Sequence, residues 1–353
     1  MHSLIGKPIY QLETPALIID LDIFERNIQK MSGSIIGTRG IGWRPHVKAL
    51  KYPGLVKYLL KAGATGVTCS NVGQAEKMAA AGIRDILIAN QVIAVSKIEA
   101  VIRLNGISTT RLLVDSKEGI DILDNVNQTG KAIEVLVEID TGLKRSGTTP
   151  AGAIELIKYT QNKKGVRITG IMTWEAHALD EKDHTRKKDL VQKATSTLKA
   201  ITDEAKAMGY SLEIVSAGGT GTYWVNGYAA GVTEVQAGGG AIGDLQYTTS
   251  YDVPSELSLS VLTQVISHPA PNRIICDAGR KYLSNHYPPS LNENARATLI
   301  GLSAEHCRIE LNEPSPFKIG DKIKLYVGDS DLTMHLHHNL YGHRNEVITE
   351  LFN

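Results

Sequence analysis

From residue 41 to residue 236 short apolar runs alternate with longer stretches in which apolar positions recur every three to four residues. The short runs, at 41–47, 66–69, 85–89, 110–114, 134–139, 168–173, 212–215 and 233–236, read as buried strands. The longer ones, at 71–81, 97–104, 117–126, 150–160 and 181–208, read as amphipathic helices. Ser96 with Glu99 three residues on has the form of a capping box, Asp115 or Ser116 caps the next helix, and Gly82 closes an earlier one. Eight strand candidates, each but the last followed by a helix, predict an α/β fold built on a (β/α)8 TIM-type barrel.

The period changes near Pro254. The runs SVLTQVISH, NRIICDAG, RATLIGLSAEH, RIELNE, DKIKLYVGD and EVITELF alternate with period two between turn residues, which predicts a C-terminal all-β domain. The strand candidate at 15–21 stands apart from the βα pattern and is expected to join that β domain. The expected division is a barrel over 20–253, with 1–19 and 254–353 forming the β domain.

Composition narrows the function classes. With 38 Lys plus Arg against 37 Asp plus Glu, the formal charge of +1 offers no electrostatic case for nucleic acid or an anionic membrane as partner. Three cysteines, Cys69, Cys276 and Cys307, are widely spaced without a CxxC pair, so neither a disulfide scaffold nor a structural zinc site is expected. The N-terminal residues carry no basic segment followed by an apolar one, and no apolar run approaches the roughly 20 residues that span a bilayer. A soluble, cytoplasmic protein is expected. Glycine, at 33 of 353 residues, exceeds the usual fraction of about 7%.

Part of that excess sits at strand ends, where a barrel of this kind keeps its chemistry. The seventh end reads Ser216-Ala217-Gly218-Gly219-Thr220-Gly221-Thr222-Tyr223, and the eighth Gln236-Ala237-Gly238-Gly239-Gly240. Glycines there let backbone N–H groups close on phosphate oxygens, while Thr220 and Thr222 add hydroxyl donors; a plain glycine-rich turn is the other reading. Lys48 ends the first strand, in RPHVKALK. A rim lysine is commonly a solvated charge, but a lysine amine and a phosphorylated aldehyde are the two halves of a pyridoxal 5′-phosphate (PLP) Schiff base. A sugar phosphate or a nucleotide is the alternative ligand for the same cup.

The ordered set TPALIIDLDIFERNI, RPHVKALK, VEIDTGLKRSG, GIMTWEAHA, SAGGTGTY and TEVQAGGGAIGDLQY resembles the PLP enzymes of the alanine racemase fold (fold type III). Within them it is most similar to the D-threonine aldolase and D-serine dehydratase branch. IICDAGRKYLS and GLSAEHCRIEL resemble that branch's C-terminal domain, so the likeness spans nearly the whole chain. It implies that Lys48 carries PLP, that Gly219, Thr220, Gly238 and Gly239 hold the phosphate with Tyr223 nearby, and that His177 lies against the pyridine ring. Arg145 would face the phenolic oxygen, where a fixed positive charge favours the ionised form. Read from the residues alone, Arg145 is equally a surface charge at a helix entry, and His177 a satisfied rim histidine.

The same resemblance implies a divalent metal late in the β domain, on a His-x-Cys or His-x-Asp pair. Those positions fall on Asp329 and Asp331, so this chain departs from the pattern at the histidine. Two carboxylates suit Mg2+ or Mn2+ better than Zn2+. His335, His337, His338 and His343 offer a nitrogen ligand instead, and a simple turn with exposed histidines is the plain alternative. His306, in AEHC, is the implied acid–base group.

The implied reaction is PLP- and metal-dependent retro-aldol cleavage of a β-hydroxy-D-amino acid to glycine or an analogue plus an aldehyde. Dehydration of a D-serine-type substrate is the alternative, followed by racemisation and by PLP carriage without turnover. A carboxylate at Asp331, in place of a thiolate, favours the aldolase. Trp174 and Gly240 stand where the branch commonly has a tyrosine and another aromatic, which points to a reshaped substrate pocket. A homodimer acting on a small amino acid, without nucleic acid or membrane, completes what the resemblance implies.

Overall fold

The computed structural model describes residues 4–225, 227–291 and 297–353. Two units emerge from it: residues 31–48 with 59–238, and residues 1–30 with 49–58 and 239–353. The second unit takes in residues 20–30, 49–58 and 239–253, which the sequence pattern groups with the barrel.

The first unit is the expected (β/α)8 architecture. Its parallel strands are β2 (Gly42–Trp43), β3 (Val67–Cys69), β4 (Asp85–Gln91), β5 (Thr109–Val114), β6 (Ile133–Glu138), β7 (Val166–Met172), β8 (Ile214–Ala217) and β9 (Glu234–Val235). They run in the order β2-β9-β8-β7-β6-β5-β4-β3. The ring closes through one parallel bridge, His46 to Thr68, with Val47 N–H on the Thr68 carbonyl at 2.8 Å and Thr68 N–H on the Pro45 carbonyl at 2.9 Å. The regular part of β2 is shorter than the 41–47 run suggests, because Pro45 has no N–H to give a ladder.

Helices α2 (Pro53–Lys61), α3 (Val72–Ala80), α4 (Val95–Leu104), α5 (Lys117–Val126), α6 (Pro150–Thr160) and α7 (His184–Ala207) follow the first six strands of the barrel. After β8 the described residues form turns rather than the helix expected there; three glycines in GGTGT favour turning over propagation. The capping box at Ser96 does not form either. Helix α4 starts two residues earlier, at Val95 with Ala94 as its cap, so Ser96 lies inside the first turn. Ser116 does cap α5, accepting the Gly119 N–H at 3.2 Å.

Leu87, Leu113, Leu136 and Met172 from neighbouring strands pack into one buried cluster, the apolar filling that a barrel of this size needs. Near the strand starts the filling is ionic. Arg44 lies across both oxygens of Glu234 at 3.0 and 2.9 Å and reaches Asp85 at 2.7 Å. Asp85 also binds Arg111 at 2.7 Å, Arg111 pairs with Glu134 at 2.8 Å, and Glu134 with Arg167 at 2.5 Å. A belt of alternating charge thus links β9, β4, β5, β6 and β7 at one end of the ring.

The second unit is built on a nine-stranded sheet. Strands β1 (Ala16–Asp20), β10 (Leu259–Ala270), β11 (Arg273–Cys276), β12 (Ser290–Leu291), β13 (Ala297–Leu302), β14 (Cys307–Leu311), β15 (Lys322–Tyr326), β16 (Leu340–Arg344) and β17 (Val347–Phe352) form it in the order β13-β14-β11-β10-β1-β16-β17, with β15 joining β10 to β12. The N-terminal strand is taken up as expected: β1 pairs antiparallel with β10 and parallel with β16. Ile9, Leu12, Ala16, Ile18, Leu262 and Ile348 form its core beneath that junction. Strand β16 escapes the period-two pattern because LYGHR places Gly342 and the buried His343 where apolar residues would mark it.

Candidate active site

The first strand carries Lys48 to the end of the ring opposite the ionic belt. Its side chain is half-buried, and its backbone N–H donates to His46 Nδ1 at 3.3 Å. That bond leaves the imidazole proton on Nε2. Desolvation, together with the cationic charges of Lys48 and Arg145, pushes the His46 imidazole down to about 3. The same strand is crossed by Gly238: a Cβ there would overlap the His46 carbonyl, so this glycine is required by backbone packing against the Lys48 segment.

Arg145 enters from the loop after β6. Its Nη2 lies 3.3 Å from Glu138 Oε1, a carboxylate at the buried end of that strand. Gln91 Nε2 donates to the other Glu138 oxygen at 2.6 Å and to Asp115 at 3.2 Å, so Glu138 is fixed before it meets the arginine. The guanidinium stacks over the Trp174 ring, 5.0 Å from its centre. Trp174 in turn covers Gly219, where a Cβ would fall 2.7 Å from the indole Nε1. Lys48, His46, Arg145, Trp174 and Gly219 are therefore linked in one series around the barrel rim.

The segment after β7 supplies two more groups. His177, in the short turn Ala176–Ala178, lays its ring on Gly142, whose Cβ would come within 3.4 Å of it. Its Nδ1 is buried without a hydrogen-bond partner among the described residues. Such an atom accommodates a water or a bound group. Asp140 accepts the Gly142 and Lys144 N–H groups at 2.9 and 3.1 Å, which holds the Gly142 loop and keeps the Asp140 carboxyl below its ordinary range.

Glu175, which sequence reasoning passed over, is fully buried. It accepts the Gly218 N–H at 3.1 Å and the Thr222 hydroxyl at 2.7 Å, and burial raises its carboxyl above the usual range. Gly219 N–H turns inward as well, to Thr222 Oγ1 at 3.2 Å. Thr220 is buried in this loop, and Tyr223 is buried behind it with Arg39 on its carbonyl. Glu175 is visible in the sequence only as one acid among 37 Asp plus Glu; its burial comes from the turn that carries it.

In the β unit, Gly239 faces the Tyr247 ring, where a Cβ would lie 2.9 Å from it. His306 is exposed in the turn between β13 and β14, with its carbonyl accepting the Ser303 N–H at 2.9 Å. Asp329 is buried and caps α8 (Ser330–Thr333), accepting the Leu332 N–H at 3.3 Å; Asp331 stands in the first turn. Ser330 between them is held by Asp244 at 2.6 Å. His337 binds the Tyr282 carbonyl at 2.8 Å and His343 lies in β16, so the four late histidines do not gather. Among the described residues no three His, Cys, Asp or Glu side chains converge as a metal site. The donors present do not make a closed zinc centre; two carboxylates fit only an ion that keeps most of its water.

A (β/α)8 barrel with a lysine, an arginine and a glycine loop on one rim, followed by a β unit, sets the class of fold. The family model for the alanine racemase N-terminal domain matches residues 19–246, and one for a putative serine dehydratase domain matches 258–343. The chain belongs to the alanine racemase N-terminal domain family. It is 31% identical to a 3-hydroxy-D-aspartate aldolase of Paracoccus denitrificans (strain Pd 1222), over 97% of this chain and 92% of that one. It is 32% identical to a D-threo-3-hydroxyaspartate dehydratase of Delftia sp. (strain HT23), over 76% of this chain and 72% of that one. The crystal structure of D-threonine aldolase from Filomicrobium marinum superposes with a TM-score of 0.92 at 29% identity, covering 99% of this chain and 96% of that one.

Proposed function

We propose that the protein is a PLP-dependent lyase that cleaves a β-hydroxy-D-amino acid by retro-aldol reaction to glycine or an analogue plus an aldehyde. The observation that carries this reading is the series Lys48, His46, Arg145, Trp174 and Gly219 on one rim. An amine, a cation held by Glu138 and a glycine-lined loop on one rim support this reading, as does the buried His177 Nδ1 that has no hydrogen-bond partner among the described residues.

PLP, when bound, supplies the electron sink that accepts the Cα–Cβ bonding pair. Lys48 would hold the group through its aldehyde, and the neutral His46 adds no further charge beside that amine. Arg145, held by Glu138 and Trp174, would serve its phenolic oxygen. Gly219, Thr220, Gly238 and Gly239 would hold its phosphate with Tyr223 nearby, and His177 would serve its ring. His306 would take the proton of the β-hydroxyl as the carbonyl forms at Cβ, and return of a proton to Cα would complete glycine or its analogue. Asp329 and Asp331 would hold Mg2+ or Mn2+ rather than Zn2+, and such an ion would polarise that hydroxyl.

The second reading is a 3-hydroxy-D-amino acid dehydratase, in which Lys48 removes the α-proton and hydroxide leaves; the dehydratase relative favours it. The described residues include no helix long and apolar enough to cross a membrane. A cytoplasmic homodimer acting on a small amino acid fits both readings.

Purified protein is expected to absorb near about 420 nm, as a lysine-bound PLP does, and to bleach with borohydride. Lys48→Ala abolishes that band. A colourless protein with unmodified Lys48 after incubation with PLP overturns the assignment. Release of glycine rather than a 2-oxo acid identifies the aldolase, and loss of either product with EDTA, restored by Mg2+ or Mn2+, identifies the metal.

A further inference from the structure

Glu175 is the one fully buried acid in the segment 174–177, and the reaction proposed above gives it no task. Its surroundings are unusual for a carboxylate. Oε2 accepts the Gly218 N–H at 3.1 Å, and Oε1 accepts the Thr222 hydroxyl at 2.7 Å and the Tyr228 hydroxyl at 3.4 Å. Thr222 Oγ1 then accepts the Gly219 N–H at 3.2 Å. Both ends of the Gly218–Thr222 turn are thus tied to one side chain from the preceding strand's loop. Gly218 is at φ +79°, a conformation that L side chains rarely adopt, and a Cβ there would overlap the Tyr228 hydroxyl.

We propose that Glu175 is a positioning residue: it braces the Gly218–Thr222 turn from beneath so that the turn is preformed to receive the phosphate of a phosphorylated aldehyde. The inference rests on the reading of that turn as the phosphate loop. The brace draws the Gly218 and Gly219 N–H groups inward, directly and through Thr222, so Gly219 serves the cup by its lack of a side chain and not by the N–H donation that the sequence suggests. Preforming the turn removes an ordering cost that binding would otherwise carry.

The brace is geometric rather than electrostatic. A glutamine at 175 keeps it: its Oε1 accepts the Gly218 N–H, and its Nε2 donates to Thr222 Oγ1, since a hydroxyl is both donor and acceptor. An alanine removes it and leaves the Gly218 N–H buried without a partner.

The test titrates full-length protein, stripped with hydroxylamine, with pyridoxal phosphate and with pyridoxal, which lacks the phosphate, and reads the visible band. Glu175→Ala is expected to weaken pyridoxal phosphate by about tenfold and to leave pyridoxal within about twofold. Glu175→Gln retains wild-type preference. Should Glu175→Ala not fold, Thr222→Val removes the other half of the bond and is expected to show the same selective loss. Equal weakening of both aldehydes, an unchanged preference in the folded variants, or Glu175→Gln as weak as Glu175→Ala would overturn the brace. Wild-type protein that binds both aldehydes equally overturns the phosphate-loop reading itself.

Discussion

The Arg145 guanidinium carbon lies over the Trp174 ring, 5.0 Å from its centre, while Glu138 holds the same group at 3.3 Å. An exposed cation–π pair contributes about 0.5–1 kcal/mol, so the stacking orients the arginine more than it stabilises the fold. Trp174→Tyr is expected to leave the melting temperature nearly unchanged and to alter the ratio of kcat/KM for D-threonine to that for bulkier 3-hydroxy-D-amino acids by about tenfold, a difference near 1.4 kcal/mol. Equal cleavage of small and bulky substrates by the wild type would remove Trp174 as the wall of the pocket.

Gly238→Ala puts a methyl group into the His46 carbonyl, where backbone and not a flexible side chain must give way. The expected cost is about 2–4 kcal/mol, with displacement of the Lys48 segment. Urea unfolding measures the first, and loss of the lysine-bound chromophore the second. Gly130→Ala, at a glycine whose Cβ would meet nothing within 4 Å though its φ is +80°, serves as the comparison for strain without overlap.

His46 titrates with a sign that can be worked out. Its imidazole falls from the usual 6.5 to about 3 in the folded chain, so the unfolded chain binds the extra proton between those values. Stability is full above pH 6.5 and declines as the pH falls towards 3, by at most about 1.4 kcal/mol per unit from this group. Lowering the pH from 7 to 5 is therefore expected to cost the wild type up to about 2 kcal/mol more than His46→Gln, measured as the difference in urea unfolding free energy. A pH dependence identical in the two proteins would rule the imidazole out as its source.

Arg44 and Glu234 are both buried, with side-chain exposures of 5% and 8%, so removing either strands the other's charge. Arg44→Ala is expected to destabilise by about 3–5 kcal/mol. Glu213→Ala acts on a pair 3.8 Å long between exposed side chains and is expected to change stability by less than about 1 kcal/mol. Comparable losses in the two variants would mean that the belt is not graded by burial.

The βα alternation and the period-two runs were legible because strands and helices bury faces at different spacings, and β1 was legible as an outlier to the first pattern. What escaped were features that depend on partners far along the chain. Strand β2 is short because of Pro45, and the closure is then carried by an isolated bridge at His46 and the backbone bonds that Trp43, Pro45 and Val47 make to Thr65 and Thr68. Glu175 and Arg44 look like surface charges in sequence, yet both are buried by residues tens of positions away, Thr222 and Glu234. The glycines at strand ends were read as ligand contacts; Gly219 and Gly238 prove also to be clearances for Trp174 and for the His46 backbone. The carboxylates at 329 and 331 are singled out only by the family resemblance, and helix capping by Asp329 is a role that the resemblance does not reveal.

The closure of the ring has a consequence for its motions. Strands β6 and β7 pair from Ile133 to Glu138 with one register shift after Val135. In contrast, β2 is in ladder with β9 only at Gly42 and Trp43, continued by the Arg44 and His46 N–H groups on the Val235 and Gln236 carbonyls, and joins β3 in one isolated bridge at His46. Opening of a hydrogen-bonded ring is local where the fewest bonds must break together. Amide exchange should therefore begin along residues 42–47, and the stave that parts first is the one from which Lys48 hangs. On the function proposed above, a lysine that releases one bond to its ligand and later re-forms it sits at the end of one of the shortest-paired strands of the hoop.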